Sequence, residues 1–92
     1  MDCFVIFFPR TFPNSTTEKD GTNVYKYLKK QFYKHNHLVL DLEKEIYLPS
    51  FINSSIVALV KDVGYSTFNS KVTLVNVDSS IRSFIRQMVV KD

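Results

Sequence analysis

Short apolar runs alternate with stretches of helical periodicity along this chain, and that alternation limits the fold more than any single motif does. Phe4 to Phe8 is a continuous apolar run closed by Pro9. A run this short, aromatic and β-branched, reads as a strand buried on both faces. Leu38 to Leu42 repeats the pattern, and Lys71 to Val77 supplies a third strand rich in β-branched residues.

Between the strands the period changes to that of a helix. Val24, Leu28 and Phe32 recur four residues apart, with Tyr27 widening the stripe and His35-Asn36-His37 ending it. Thr16 or Thr17 is placed to cap this helix, with Glu18 and Asp20 favourable in its first turn, although Gly21 leaves that start open. Pro9, Pro13, Asn14 and Ser15 mark the loop before it. Ile52, Ile56, Leu59, Val60 and Val63 lie on one face of a second helix, which Ser50 caps and Gly64 stops. Ile81, Phe84, Ile85, Met88 and Val89 form the stripe of a last helix, entered through Asp78, Ser79 and Ser80.

The order β-α-β-α-β-α predicts a small α/β domain with a mostly parallel sheet of three to four strands and right-handed crossovers. A fourth pairing would come from Met1–Phe8 or from Arg10–Pro13. At 92 residues, residues 1–92 form one domain. The apolar share of 45% and charged share of 23% are those of a folded chain rather than a disordered one. Cys3 is the only cysteine, which excludes an internal disulfide; inside an apolar run it reads as a small buried hydrophobe. The start of the chain lacks the pattern of a signal peptide, and no run reaches the ~18 apolar residues of a membrane span, so the expected location is cytoplasmic.

Chemistry-bearing residues are few. Glycines number only two, which excludes a phosphate-cradling glycine loop, and no Gly-x-Ser-x-Gly elbow is present. His35 and His37, with neither cysteine nor carboxylate at ligand spacing, do not make a metal site. The expectation is a non-enzymatic protein with no cofactor. Asp41 sits in an apolar strand near its carboxyl end. There it either accepts bonds that brace the junction or faces a ligand. Lys26, Lys29, Lys30 and Lys34, without an acid between Val24 and Leu40, make one concentrated positive feature, flanked by Tyr25 and Tyr33. Such a face is either solvated or anion-binding.

The stretch Leu38-Val39-Leu40-Asp41-Leu42, then Ile46-Tyr47-Leu48-Pro49-Ser50-Phe51-Ile52, a helix ending at Gly64, and Asn76-Val77-Asp78-Ser79-Ser80-Ile81-Arg82 resembles the STAS-like domains, in particular the DUF4325 type. The likeness spans roughly Val24 to Val90 and extends to anti-sigma factor antagonists. In those proteins a serine at the strand–helix junction is phosphorylated by a kinase that is also the anti-sigma factor. That serine falls here at Ser50, while the rest of the family's Asp-Ser-Ser-Gly motif is replaced by Leu48, Pro49 and Phe51. The resemblance implies a regulatory protein-interaction module with Ser50 as phosphoacceptor and Tyr47, Ser50, Asn53 and Ser54 at the partner surface, supported by Asp41. As a bland alternative, Ser50 is only a helix cap.

Two other readings stay open: a small phage or mobile-element protein that inhibits a host complex, and nucleic-acid binding through the lysine face. A second copy of the chain is a further candidate partner. No membrane association is expected.

Overall fold

A computed structural model describes residues 2–13 and 17–90, with Val90 as backbone alone. Strands β1 (Cys3–Phe7), β2 (His37–Asp41) and β3 (Val72–Val75) form one parallel sheet in the order β1-β2-β3. The helices are α1 (Phe8–Thr11), α2 (Glu18–Lys34), α3 (Pro49–Ile52), a π-helical stretch (Asn53–Val57), α4 (Ala58–Val63), α5 (Tyr65–Lys71) and α6 (Ser79–Val90). The α/β alternation with an all-parallel sheet is as the sequence predicts. Arg10 and Thr11 lie in α1, so no fourth strand forms there.

Strand order places the helical layer. Both crossovers step in the same direction across the sheet, and right-handed crossovers that do so lay their helices on the same side. The register sets Phe4 beside Leu38 beside Val72, and Ile6 beside Leu40 beside Leu74. These residues face the helices, and Ile6, Leu38 and Leu40 are essentially inaccessible. Alternation sends Cys3, Val5, Phe7, Val39 and Thr73 to the other face, where Val5 is 44% and Phe7 36% exposed. The expectation that β1 is buried on both faces, with Cys3 inside, is therefore corrected. β1 is an edge strand, its odd-numbered residues face away from the helices, and Cys3 is exposed.

The sheet's two edges differ. Val75 O accepts from Leu42 N across the β2–β3 ladder at 3.1 Å. The carbonyl before it, Leu74 O, therefore points outward, since successive strand carbonyls alternate. It is met by Arg82 Nη2 at 3.3 Å. β1 pairs only with β2 among the described residues.

α2 begins where Thr17 caps it. Thr17 Oγ1 accepts from Asp20 N, and the Asp20 carboxylate accepts from Thr17 N, each at 3.1 Å, a reciprocal capping box. Thr16, the other candidate cap, lies outside the described residues with Asn14 and Ser15. Gly21 is inside α2, at the crossing with the Asn53–Val57 stretch. A Cβ there would lie 2.7 Å from the carbonyl oxygen of Phe51 and overlap Ser54 Oγ. The glycine permits the close approach of the two helices.

Residues 49–63 form one helical rod, packed by sheet, α2 and α6 so that Phe51, Ser55 and Val57 are buried besides the predicted stripe. Its π-helical middle has a local cause. Ser54 Oγ donates to Ser50 O at 2.9 Å and Ser55 Oγ to Phe51 O at 2.6 Å, so hydroxyls take carbonyls that the next-turn amides would otherwise use. Gly64 ends the rod with φ 94°, in the region only glycine enters freely. α5 follows at once; it buries Phe68 alone, and the sequence shows no period there. The far end of α2 is fixed by Lys71, whose Nζ donates to Phe32 O and stands 4.3 Å from the Phe32 ring centroid.

Candidate functional site

Parallel strands end together, and the loops that leave their carboxyl ends gather on one rim. Here that rim carries α1, the 42–48 loop, the start of α3 and the turn into α6. Asp41 closes β2 and binds within the rim. Its carboxylate accepts from Glu43 N at 2.8 Å and from Asn76 Nδ2 at 3.1 and 3.2 Å. Of the two predicted roles, bracing is the one its bonds perform. Lys44 N donates to Asn76 O at 2.7 Å and ties the same two loops.

The turn is strained. Glu43, Lys44 and Asn76 all have positive φ, at 49°, 64° and 51°. Asparagine tolerates that region, but for glutamate and lysine it costs roughly 1–2 kcal/mol each. The Asp41 and Asn76 bonds hold the turn against that cost. Arg10 reinforces it from α1, with Nη2 at 2.8 Å from Glu43 Oε1 and its guanidinium 4.8 Å from the Phe7 ring centroid. Asp78 accepts from Ser80 N at 3.0 Å and from Ser80 Oγ, bonds that hold its carboxyl below the ordinary value and start α6.

The tight turn decides which side chains of the 42–48 loop face outward. Tyr47 is turned inward. Its ring stacks on Phe51 at 5.1 Å and meets Phe8 edge-on at 6.2 Å. Its hydroxyl is buried with no hydrogen-bond partner among the described residues. Burial, then the charges of Glu45 and Glu43, push the phenol up to about 12. Ile46 and Leu48 take the outward positions, 67% and 58% exposed. Two aliphatic side chains stand in water just before α3, and nothing in their residue type announced it.

Ser50 is exposed and helical, as expected, but it is not the N-cap. Leu48 holds the cap position and Pro49 the first helical one, where its missing N–H and fixed φ are suited. Ser50 follows as the second helical residue, and no hydrogen bond from its hydroxyl is seen. Asn53, one turn on, is exposed. Ser54 differs from expectation: it is half-buried, with its hydroxyl on Ser50 O and its Cβ against Gly21. The outward surface is therefore Ile46, Leu48, Ser50 and Asn53, with Tyr47 and Ser54 packed beneath it.

The lysine face is thinner than its sequence suggests. Lys29 pairs with Asp62 of α4 at 3.0 Å, and Tyr25 donates to the same oxygen at 2.7 Å. The Tyr25 hydrogen bond, then that of Lys29, lowers the Asp62 carboxyl, and the Asp62 hydrogen bond and charge raise the Lys29 ammonium. Lys26, Lys30 and Lys34 remain exposed along one row, without an ion pair among the described residues. The two histidines have separate partners. His35 Nδ1 meets the Asp2 carboxylate at 2.9 Å and its ring stacks on Phe4, while His37 Nε2 lies 2.8 Å from Thr73 Oγ1.

Compared with known proteins, the chain matches no family model, no curated protein and no solved structure. No described helix is long and apolar enough to cross a membrane.

Proposed function

We propose that this chain is a non-enzymatic regulatory module that docks a protein partner through the start of α3, with Ser50 as a phosphoacceptor switch. The reading rests on one juxtaposition. Ser50 stands in solvent on the first turn of a helix, directly after Ile46 and Leu48, whose apolar side chains the fold itself leaves uncovered. Exposed apolar side chains bordered by polar ones are what a docking surface presents, and a rigid turn beneath them lowers the cost of ordering on binding. The STAS-like order of elements, with a serine at this junction, supports the same reading.

A phosphate on Ser50 would add about −1.5 to −2 charges at pH 7. Glu45 and Glu43 are close in the same loop, so the patch would change from apolar to strongly negative. Inhibition of a host complex by a phage or mobile-element protein would use the same patch, and partner identity separates the two readings. Nucleic-acid binding has less support, since Lys29 is held by Asp62.

The test is affinity capture from native lysate with wild-type protein, Ser50→Ala, Ser50→Asp and Leu48→Asp, followed by mass spectrometry of partners and phosphopeptides. The expected result is one protein recovered with wild type and Ser50→Ala, and lost with both aspartate variants. Equal recovery across all four would remove both the docking surface and the switch.

A further inference from the structure

We propose that the groove between α5 and α6 is a binding site for a small carboxylate with a short apolar tail. The groove has a volume of about 90 Å³. Val60, Phe68, Leu74, Ile85 and Val89 give it an apolar lining, with Tyr65 and Asn69 beside them. Arg82 and Arg86, both exposed, also line it, and no acidic residue does.

The two arginines are four residues apart on α6 and so share a face. Like charges at that spacing repel, and among the described residues neither guanidinium has an ion pair. Arg82 spends one donor on the outward carbonyl of Leu74, which fixes the head of its side chain at the groove while most of its five donors stay free. Arg86 is exposed and bonded to no other described residue. Together they bring two planar, fork-shaped cations to a groove with an apolar lining. A carboxylate matches that fork, accepts in bidentate fashion and offsets the repulsion.

Size limits the tail. A groove of about 90 Å³ admits a short aliphatic chain and no bulky ring system. A short aliphatic acid fits, with its head on the arginines and its tail against Phe68 and Ile85. The site is lined by α5 and α6 with Val60 of α4 and Leu74 of β3, and its ligand is independent of the partner proposed for the Ser50 surface.

The probe is hexanoate, titrated into the ¹⁵N-labelled full chain and followed by amide chemical shifts. Hexan-1-ol and inorganic phosphate serve as controls. Saturable shifts should localise to Asn69, Leu74, Ile85 and Arg86, with hexanoate binding about tenfold tighter than the alcohol or phosphate. Arg86→Gln removes an exposed side chain that no described residue needs, so the fold should persist while hexanoate binding weakens about tenfold. Lys30→Gln, on α2, should leave it unchanged. Equal binding of hexanoate and hexan-1-ol would overturn the proposal, as would equal binding of phosphate, unaltered affinity in Arg86→Gln, or shifts that never saturate.

Discussion

The two faces of the sheet are made from neighbouring residues of the same strands, yet they live in different solvents. Leu38 and Leu40 lie under the helical layer and are sealed from water, whereas Val39, between them in sequence, is half-exposed on the opposite side. Residue type does not distinguish them; strand order does. A sheet that winds in one direction keeps its helices on one side, and the other face stays open whatever side chains it carries. Burial here follows topology first and hydrophobicity second.

That contrast can be broken most forcefully at the covered face. Leu40→Ala should cost about 2–5 kcal/mol in denaturant unfolding, because the lost methyl groups leave a cavity that a packed layer fills poorly. Val39→Ala, a residue away, should cost well under half as much. If the two losses were equal, the faces would not differ energetically. Next comes the helical layer above the covered face. Gly21→Ala forces a methyl toward Ser54 and the Phe51 carbonyl and should cost about 1–3 kcal/mol, read as a fall in the urea midpoint. Ser54→Ala in the same chain should return only part of the loss, since the backbone oxygen remains.

Smaller effects sharpen the picture. Tyr47→Phe deletes a buried hydroxyl without a partner and should leave stability unchanged or raise it by up to about 1 kcal/mol. The same variant has a pH signature. The wild-type phenol is raised to about 12 when folded, from 10 when unfolded, so its contribution is full below pH 10 and is lost as pH rises toward 12. Tyr47→Phe should flatten that alkaline decline in thermal melts. On the open face, Val5→Thr should shift stability by no more than about 0.5 kcal/mol, since water already reaches the site. The smallest effect belongs to the surface carboxyls Asp2, Asp62 and Asp78. Their hydrogen bonds, led by those to His35, Tyr25 and Ser80, hold them below the ordinary 3.8. Their contribution is complete above 3.8 and disappears as pH falls through the lowered folded values, so Asp2→Asn should soften the acid limb of the stability curve.

Much of the fold was legible because it is written in local period. α2 and α6 follow from their apolar stripes, and β2 from its apolar run. What was not legible depended on neighbours far along the chain. The run Phe4–Phe8 looks the same whether its strand ends up central or at an edge, and so Cys3 and Val5 were misplaced. α5 has one buried residue and therefore no stripe to detect. At the candidate site, the place of Ser50 on a first helical turn was legible because Pro49 pre-sets a helix start, although Leu48 and not Ser50 is the cap. Tyr47 inward with Ile46 and Leu48 outward is set by consecutive left-handed residues at Glu43 and Lys44, which sequence period does not encode. Lys29 appeared unpaired because its partner, Asp62, lies on another helix.

Arg82 on the Leu74 carbonyl also bears on how copies of this chain can meet. A sheet grows into a filament only if both borders accept a new strand. With one carbonyl of the β3 border already taken by its own arginine, β1 is the border better suited to strand addition. Two molecules joined β1 to β1 would share a two-fold axis and use up both open borders, so that association would stop at a pair. One guanidinium thus biases the sheet toward a closed pair and against an endless stack.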